Sequence, residues 1–212
     1  MAPMVARSEI VERLIAERVV PVLRLESAEL TERAVGCLSD VGFRCVEITL
    51  TTPDALGLIR KFSEAGLVAG AGTVLDANAA EECIAAGAKF LVSPYVCKDL
   101  ARVVHDAGRA ALVGAFTPTE VMAAHREGAD IVKVFPASSG GPAHVRHLRS
   151  VFPHIRLCPT GGVALENMQE FLDAGAALVG IGNAIVPLPA LKKGELDAVR
   201  AHAARYKGKH YA

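Results

Sequence analysis

The sequence predicts an α/β protein whose strand–helix units close into a (β/α)8 TIM barrel, with an extra helix at the N-terminus. Three observations predict it. Short apolar runs of strand length alternate with helical patterns along the 212 residues. Glycine recurs just ahead of these runs, at Gly42, Gly66, Gly87, Gly108, Gly128 and Gly175. A glycine just past a helix is the usual way to reach φ > 0 and end it. The runs are also nearly continuous in apolar residues, the pattern of parallel strands covered on both faces.

The first strand is expected over Val19–Leu25, and the following ones over Cys45–Leu50, Leu67–Val74 and Phe90–Ser93. The last four are expected over Ala111–Phe116, Ile131–Phe135, Arg156–Cys158 and Leu178–Ile181. Helix openings fall between them. Ser27 is a candidate cap, without a capping box because Leu30 stands three residues on. Thr52-Pro53 and Thr117-Pro118 each offer a proline for a first helical turn, and Thr117 with Glu120 completes a capping box. Asp76 and Lys98-Asp99 open two more helices, and a helical pattern after Pro189 ends in a solvated basic stretch with Lys207 and Lys209. Eight units in this length are at the short end for a barrel. The competing architecture is an open doubly wound sheet, but no G-x-G-x-x-G follows the first strand. No composition shift or linker divides the chain, so residues 1–212 read as one domain.

Composition narrows the function. Apolar residues make up 51% and aromatics 5%, so Ala, Val and Leu build the core. Lys+Arg and Asp+Glu are both 23, which gives no basic surface for nucleic acid and no sign of a membrane surface. Mean hydropathy is +0.32, yet no apolar run approaches the roughly 18 residues of a spanning helix. Arg7, Glu9, Glu12 and Arg13 stand where a signal peptide would need its apolar segment. The five cysteines are odd in number and form no C-x-x-C, so buried reduced thiols in a cytoplasmic protein are expected. The histidines show no ligand clustering, and neither a metal nor a cofactor is expected.

Charged residues inside parallel strands are the informative exceptions, because barrel interiors are packed with apolar side chains. Of the eight lysines, only Lys133 is central in an apolar strand, Ile131-Val-Lys-Val-Phe-Pro136. Burial favours an uncharged amine, and an uncharged amine makes Schiff bases with carbonyls. Alternation in Val46-Glu-Ile-Thr-Leu50 puts Cys45, Glu47 and Thr49 on one face, the barrel interior if Val46, Ile48 and Leu50 meet the helices. A carboxylate there suits general acid–base work. Arg24 stands at the end of the first strand, where barrel active sites lie, and its fork suits a carboxylate. Each residue also fits a purely structural role: Glu47 in an ion pair with Lys133 or Arg24, Lys133 as a strand-end lysine reaching solvent or a carboxylate, Arg24 as a surface charge. Gly70-Ala-Gly72-Thr73 ends the third strand, Thr160-Gly161-Gly162 follows the seventh, and Gly182-Asn183 follows the eighth. Such glycines let backbone N–H groups approach an oxyanion, and loops seven and eight are the frequent phosphate site.

Val46-Glu-Ile-Thr-Leu50, Gly70-Ala-Gly-Thr-Val74, Ser93-Pro94, Ile131-Val-Lys-Val-Phe-Pro136 and Cys158-Pro-Thr-Gly-Gly162 together resemble the bacterial 2-keto-3-deoxy-6-phosphogluconate (KDPG) aldolase and 4-hydroxy-2-oxoglutarate (KHG) aldolase family. The motifs run in order over most of the chain, from about Val19 to Pro187. The resemblance implies a metal-free class I aldolase on a (β/α)8 barrel, usually a homotrimer, acting on a small 2-keto acid. It implies that Lys133 forms the Schiff base and that Glu47 is the general acid/base. Thr73, Pro94, Phe135 and Thr160 would line the pyruvate end, and Gly161, Gly162, Gly182 and Asn183 the phosphate end. Two positions depart from the family pattern. Thr51 stands where many members carry an arginine after the second strand, so Arg24 takes the carboxylate role, as in other members. Asn183 replaces a serine that often follows the glycine after the eighth strand. The implied reaction is cleavage of KDPG to pyruvate and D-glyceraldehyde 3-phosphate. 2-Keto-3-deoxy-6-phosphogalactonate and 4-hydroxy-2-oxoglutarate are alternative substrates. An epimerase or synthase barrel without a Schiff base, or a non-catalytic binding protein, are alternatives of another class.

Overall fold

The computed structural model describes residues 6–208. Eight strands pair in parallel: β1 (Val19–Leu23), β2 (Cys45–Thr49), β3 (Val68–Gly72), β4 (Phe90–Val92), β5 (Ala110–Ala115), β6 (Ile131–Val134), β7 (Leu157–Pro159) and β8 (Val179–Ile181). Their order is β7-β6-β5-β4-β3-β2-β1-β8, and the parallel bridge Thr160↔Gly180 closes the barrel. All eight expected strands are present, with ends that differ by a residue or two. Each of the six glycines expected to stop a helix has positive φ, from 69° to 98°.

Local chemistry sets the helix starts. Ser27 Oγ accepts from the Leu30 N–H at 3.2 Å and opens α2 (Ala28–Asp40). Asp76 accepts from the Ala79 N–H at 2.8 Å and opens α4 (Ala77–Ala85). Thr117 and Glu120 form both halves of the capping box that starts α6 (Pro118–Arg126). One expectation needs correction. Thr52-Pro53 does not open a helix: α3 spans Ala55–Glu64, preceded by Asp54 in the left-handed region. The Thr52 hydroxyl donates to Leu23 O at 3.3 Å instead, and Pro53 sits in the intervening turn. Lys98-Asp99 does open a helix, α5 (Leu100–Asp106), with Asp99 at the capping position but without a side-chain cap.

Helices wrap the outside, and two apolar layers result. The outer layer joins sheet and helices through Val46, Ile48, Ala69, Leu91, Val113 and their neighbours. The inner layer fills the lower barrel with Val20, Cys45, Val68, Phe90, Ile131 and Cys158. The N-terminal helix α1 (Arg7–Glu17) seals that end by inserting Ile10, Val11 and Leu14 into it. Phe90 is fully buried there, worth about 1.5–3 kcal/mol relative to exposure. It fits because residue 70 has no side chain: a Cβ on Gly70 would lie 2.4 Å from the ring.

The C-terminal helix (Leu196–Gly208) packs chiefly against α2 on the outer wall. Lys207 is not simply solvated. It pairs with Glu17 and lies 4.6 Å from the Phe43 ring centroid. Lys209 lies outside the described residues. All five cysteines are free and buried, and burial pushes the Cys45 thiol up to about 12. No described helix is long and apolar enough to cross a membrane.

Candidate active site

The interior changes character near the C-terminal ends of the strands. Glu47 of β2 and Lys133 of β6 project inward from opposite sides of the barrel, because alternation gives their strand neighbours to the helices. Lys133 Nζ lies 3.8 Å from Glu47 Oε1, with side chains 8% and 5% exposed. A closed ion pair would stand at about 2.7–2.9 Å. Glu47 Oε1 is buried without a hydrogen-bond partner. Burial holds the Glu47 carboxyl above the usual carboxylate range, and the charges of Lys133 and Arg24 pull against that shift. The carboxyl occupies space that residue 72 leaves free: a Cβ on Gly72 would come within 2.0 Å of Oε1. The expectation that Gly70 and Gly72 bring backbone N–H groups to an oxyanion is therefore replaced by another role. These two make room for Phe90 and Glu47. Gly180 does the same for Thr160, whose Oγ1 would lie 2.4 Å from an added Cβ.

Above the pair opens a cavity of about 360 Å³. Its walls bring together Arg24, Glu47, Lys133, Phe135, Thr160, Gly161, Gly162, Gly182 and Asn183. Phe135 is 37% exposed, and its ring centroid lies 5.3 Å from Lys133 Nζ. Gly161 and Gly162 have φ of 89° and 79°, so their loop turns where a side chain is disfavoured. Its carbonyls are engaged: the Ser138 N–H donates to Gly161 O at 2.9 Å and the Asn167 amide to Gly162 O at 3.0 Å. Arg24 lies one residue past β1. Its Nη2 donates to Thr73 Oγ1 at 3.2 Å. Thr73 holds a left-handed φ of 60°, a strained state for a β-branched residue that costs on the order of 1–3 kcal/mol. The Asn183 amide donates to Arg24 O at 3.3 Å.

Two expected site residues fall outside the cavity wall. Thr73 touches the site through Arg24. Pro94 is half-buried, and its backbone fills the space over Gly114, where a Cβ would lie 2.2 Å from the Pro94 carbonyl carbon. The wall also contains Val22, Thr49, Val163, Ala164 and Ala184, which the sequence did not single out. A signal existed for two of them, since Val22 shares a face with Arg24, and Thr49 with Glu47. Thr49 Oγ1 donates to Leu23 O at 3.2 Å. Beside the pair, burial pushes the Cys158 thiol up to about 11, which keeps it a neutral neighbour of the lysine.

A family model described as KDPG and KHG aldolase matches residues 10–202. The chain belongs to this family. As a member it is a class I aldolase, a lyase. It is 35% identical over 181 residues to a 2-dehydro-3-deoxy-phosphogluconate aldolase of Pseudomonas aeruginosa, covering 84% of this chain and 82% of that one. It is 34% identical over 181 residues to a probable 2-dehydro-3-deoxy-6-phosphogalactonate aldolase of Rhizobium meliloti, with 84% and 85% covered. Among solved structures, a KDPG aldolase from Legionella pneumophila with pyruvate captured as a covalent carbinolamine superposes with a TM-score of 0.84. That match has 28% identity and covers 92% of this chain and 96% of the other.

Proposed function

We propose that this aldolase cleaves KDPG to pyruvate and D-glyceraldehyde 3-phosphate, with Lys133 as Schiff-base former and Glu47 as general acid/base. The observation that carries the proposal is the open, buried pair at the cavity floor: 3.8 Å between Nζ and Oε1, with no hydrogen bond on that oxygen. A structural ion pair would close that gap.

The Lys133 amine attacks the C2 ketone, and the carbinolamine loses water to give an iminium. Glu47, directly or through a water, removes the C4 hydroxyl proton. The C3–C4 bond then breaks, its electrons enter the iminium to form an enamine, and the aldehyde leaves. The enamine takes a proton at C3, and hydrolysis frees pyruvate and the amine. The iminium supplies most of the acceleration, because a carbanion at C3 is otherwise unstabilised. A carboxyl whose proton affinity is raised by burial suits a group that both accepts and donates within one cycle.

Arg24 binds the keto-acid carboxylate. Phe135 and Thr160 flank the pyruvate end, with Thr73 and Pro94 supporting it from behind. The N–H groups of Gly161, Gly162 and Gly182 take the phosphate. No metal or cofactor enters this reaction. The protein works as a cytoplasmic homotrimer, and light scattering at a mass of three chains would support that state.

The aldehyde partner is tested by comparing kcat/KM on KDPG, 2-keto-3-deoxy-6-phosphogalactonate and 4-hydroxy-2-oxoglutarate. KDPG is expected to be cleaved fastest. A preference for the galactonate would move the assignment to the C4 epimer, and a preference for 4-hydroxy-2-oxoglutarate would remove phosphate recognition.

A further inference from the structure

Asn183 follows β8, beside the loop given to phosphate, yet its amide is turned the other way. Its Nδ2 donates to the main-chain carbonyl of Arg24 at 3.3 Å. Arg24 is the residue that needs such help. The ladder between β1 and β8 ends at Pro21↔Ile181, and that between β1 and β2 at Leu23↔Ile48, so Arg24 lies beyond both. Side chains from three neighbouring strand ends hold it there. From β2, the Thr49 and Thr52 hydroxyls donate to Leu23 O at 3.2 and 3.3 Å. From the end of β3, Thr73 Oγ1 accepts from Arg24 Nη2 at 3.2 Å. From the end of β8, Asn183 holds the Arg24 carbonyl.

We propose that Asn183 is a positioning residue for carboxylate recognition: it fixes the Arg24 backbone so that the guanidinium faces the keto-acid end of the cavity, and it makes no contribution to phosphate selection. This rests on the reading of Arg24 as the carboxylate-binding residue of an aldolase. An asparagine reaches the Arg24 carbonyl from this position with a trigonal amide donor. A serine side chain is one bond shorter and lacks that amide. Arginine at a strand end without a fixed main chain spreads its fork over many orientations, and ordering it on binding weakens the complex.

The test uses the full-length protein and two readouts. The first is the pyruvate concentration that half-saturates borohydride trapping on Lys133, in wild type, Asn183→Ala, Asn183→Ser, Arg24→Ala and the double variant R24A/N183A. The second is the ratio of kcat/KM for D-glyceraldehyde 3-phosphate to that for D-glyceraldehyde in the condensation direction. Loss of one neutral hydrogen bond predicts a rise of about 2- to 10-fold in half-saturating pyruvate for both Asn183 variants. The rise should be absent when Arg24 is already alanine, and the aldehyde ratio should stay at the wild-type value throughout the Asn183 series. Three results would overturn the proposal: an unchanged half-saturation in Asn183→Ala, a rise that persists in the Arg24→Ala background, or a fall in the aldehyde ratio. Absence of any adduct in wild type would instead fail the aldolase site itself, whatever Asn183 does.

Discussion

The two ends of the barrel interior are built on alternate residues of the same strands, yet they do opposite work. At the lower end Cys45, Ile131 and Cys158 meet Phe90 and the α1 side chains in a dry apolar plug. Two residues further along β2 and β6, the same face carries Glu47 and Lys133, which are nearly as buried but partly unpaired. The lower end stabilises by excluding water and filling space. The upper end stores a carboxyl that has lost its hydration and a left-handed threonine, both of which cost stability. Substitutions should therefore separate the ends: chemistry without fold at the top, fold without chemistry at the bottom.

The largest separation is expected at Lys133→Ala. Turnover should fall by on the order of 10⁴-fold or more, while the protein stays folded, because the lost side chain lines the open cavity and not the apolar plug. Steady-state kinetics beside calorimetry would show whether both halves hold. Glu47→Gln should lower kcat on the order of 10²–10⁴-fold. It also carries a pH signature. The folded-state proton affinity of Glu47 is raised by burial, so its contribution to stability is full below the ordinary carboxylate pKa. That contribution is lost as pH rises through the raised value. The Tm of Glu47→Gln relative to wild type should accordingly increase as pH rises above the ordinary carboxylate range. A flat difference would mean that the carboxyl titrates normally.

At the lower end, Phe90→Ala should cost about 3–5 kcal/mol in denaturant unfolding, while kcat of the folded fraction stays near wild type. A comparable loss in kcat would show that the plug and the site are not separable. The smallest effect belongs to the outer wall. Thr117→Ala removes one half of the capping box and should cost about 1 kcal/mol without touching kinetics.

The sequence made the two ends legible to different degrees. The barrel was readable because each helix stop needed a glycine and each strand an apolar run, both local requirements. Lys133 and Glu47 were visible as charges that violate the run. The start of α3 was not, because Thr52 answers to the Leu23 carbonyl of another strand rather than to its own helix. The roles of Gly70 and Gly72 were misread for a related reason. Each is dictated by a side chain on a neighbouring strand, Phe90 or Glu47, and spacing along one strand carries no record of that contact. Arg24 was found at the right end of the barrel, but the Thr73 and Asn183 contacts that hold it join residues 49 and 159 positions apart.

The most direct test of the upper end is to incubate the protein with pyruvate and sodium borohydride and map the modified peptide by mass spectrometry. A reduced pyruvate adduct on Lys133, lost in Lys133→Ala, is the predicted result. A folded protein that remains unmodified, or one modified at another lysine, would contradict the assignment of the buried pair to Schiff-base chemistry.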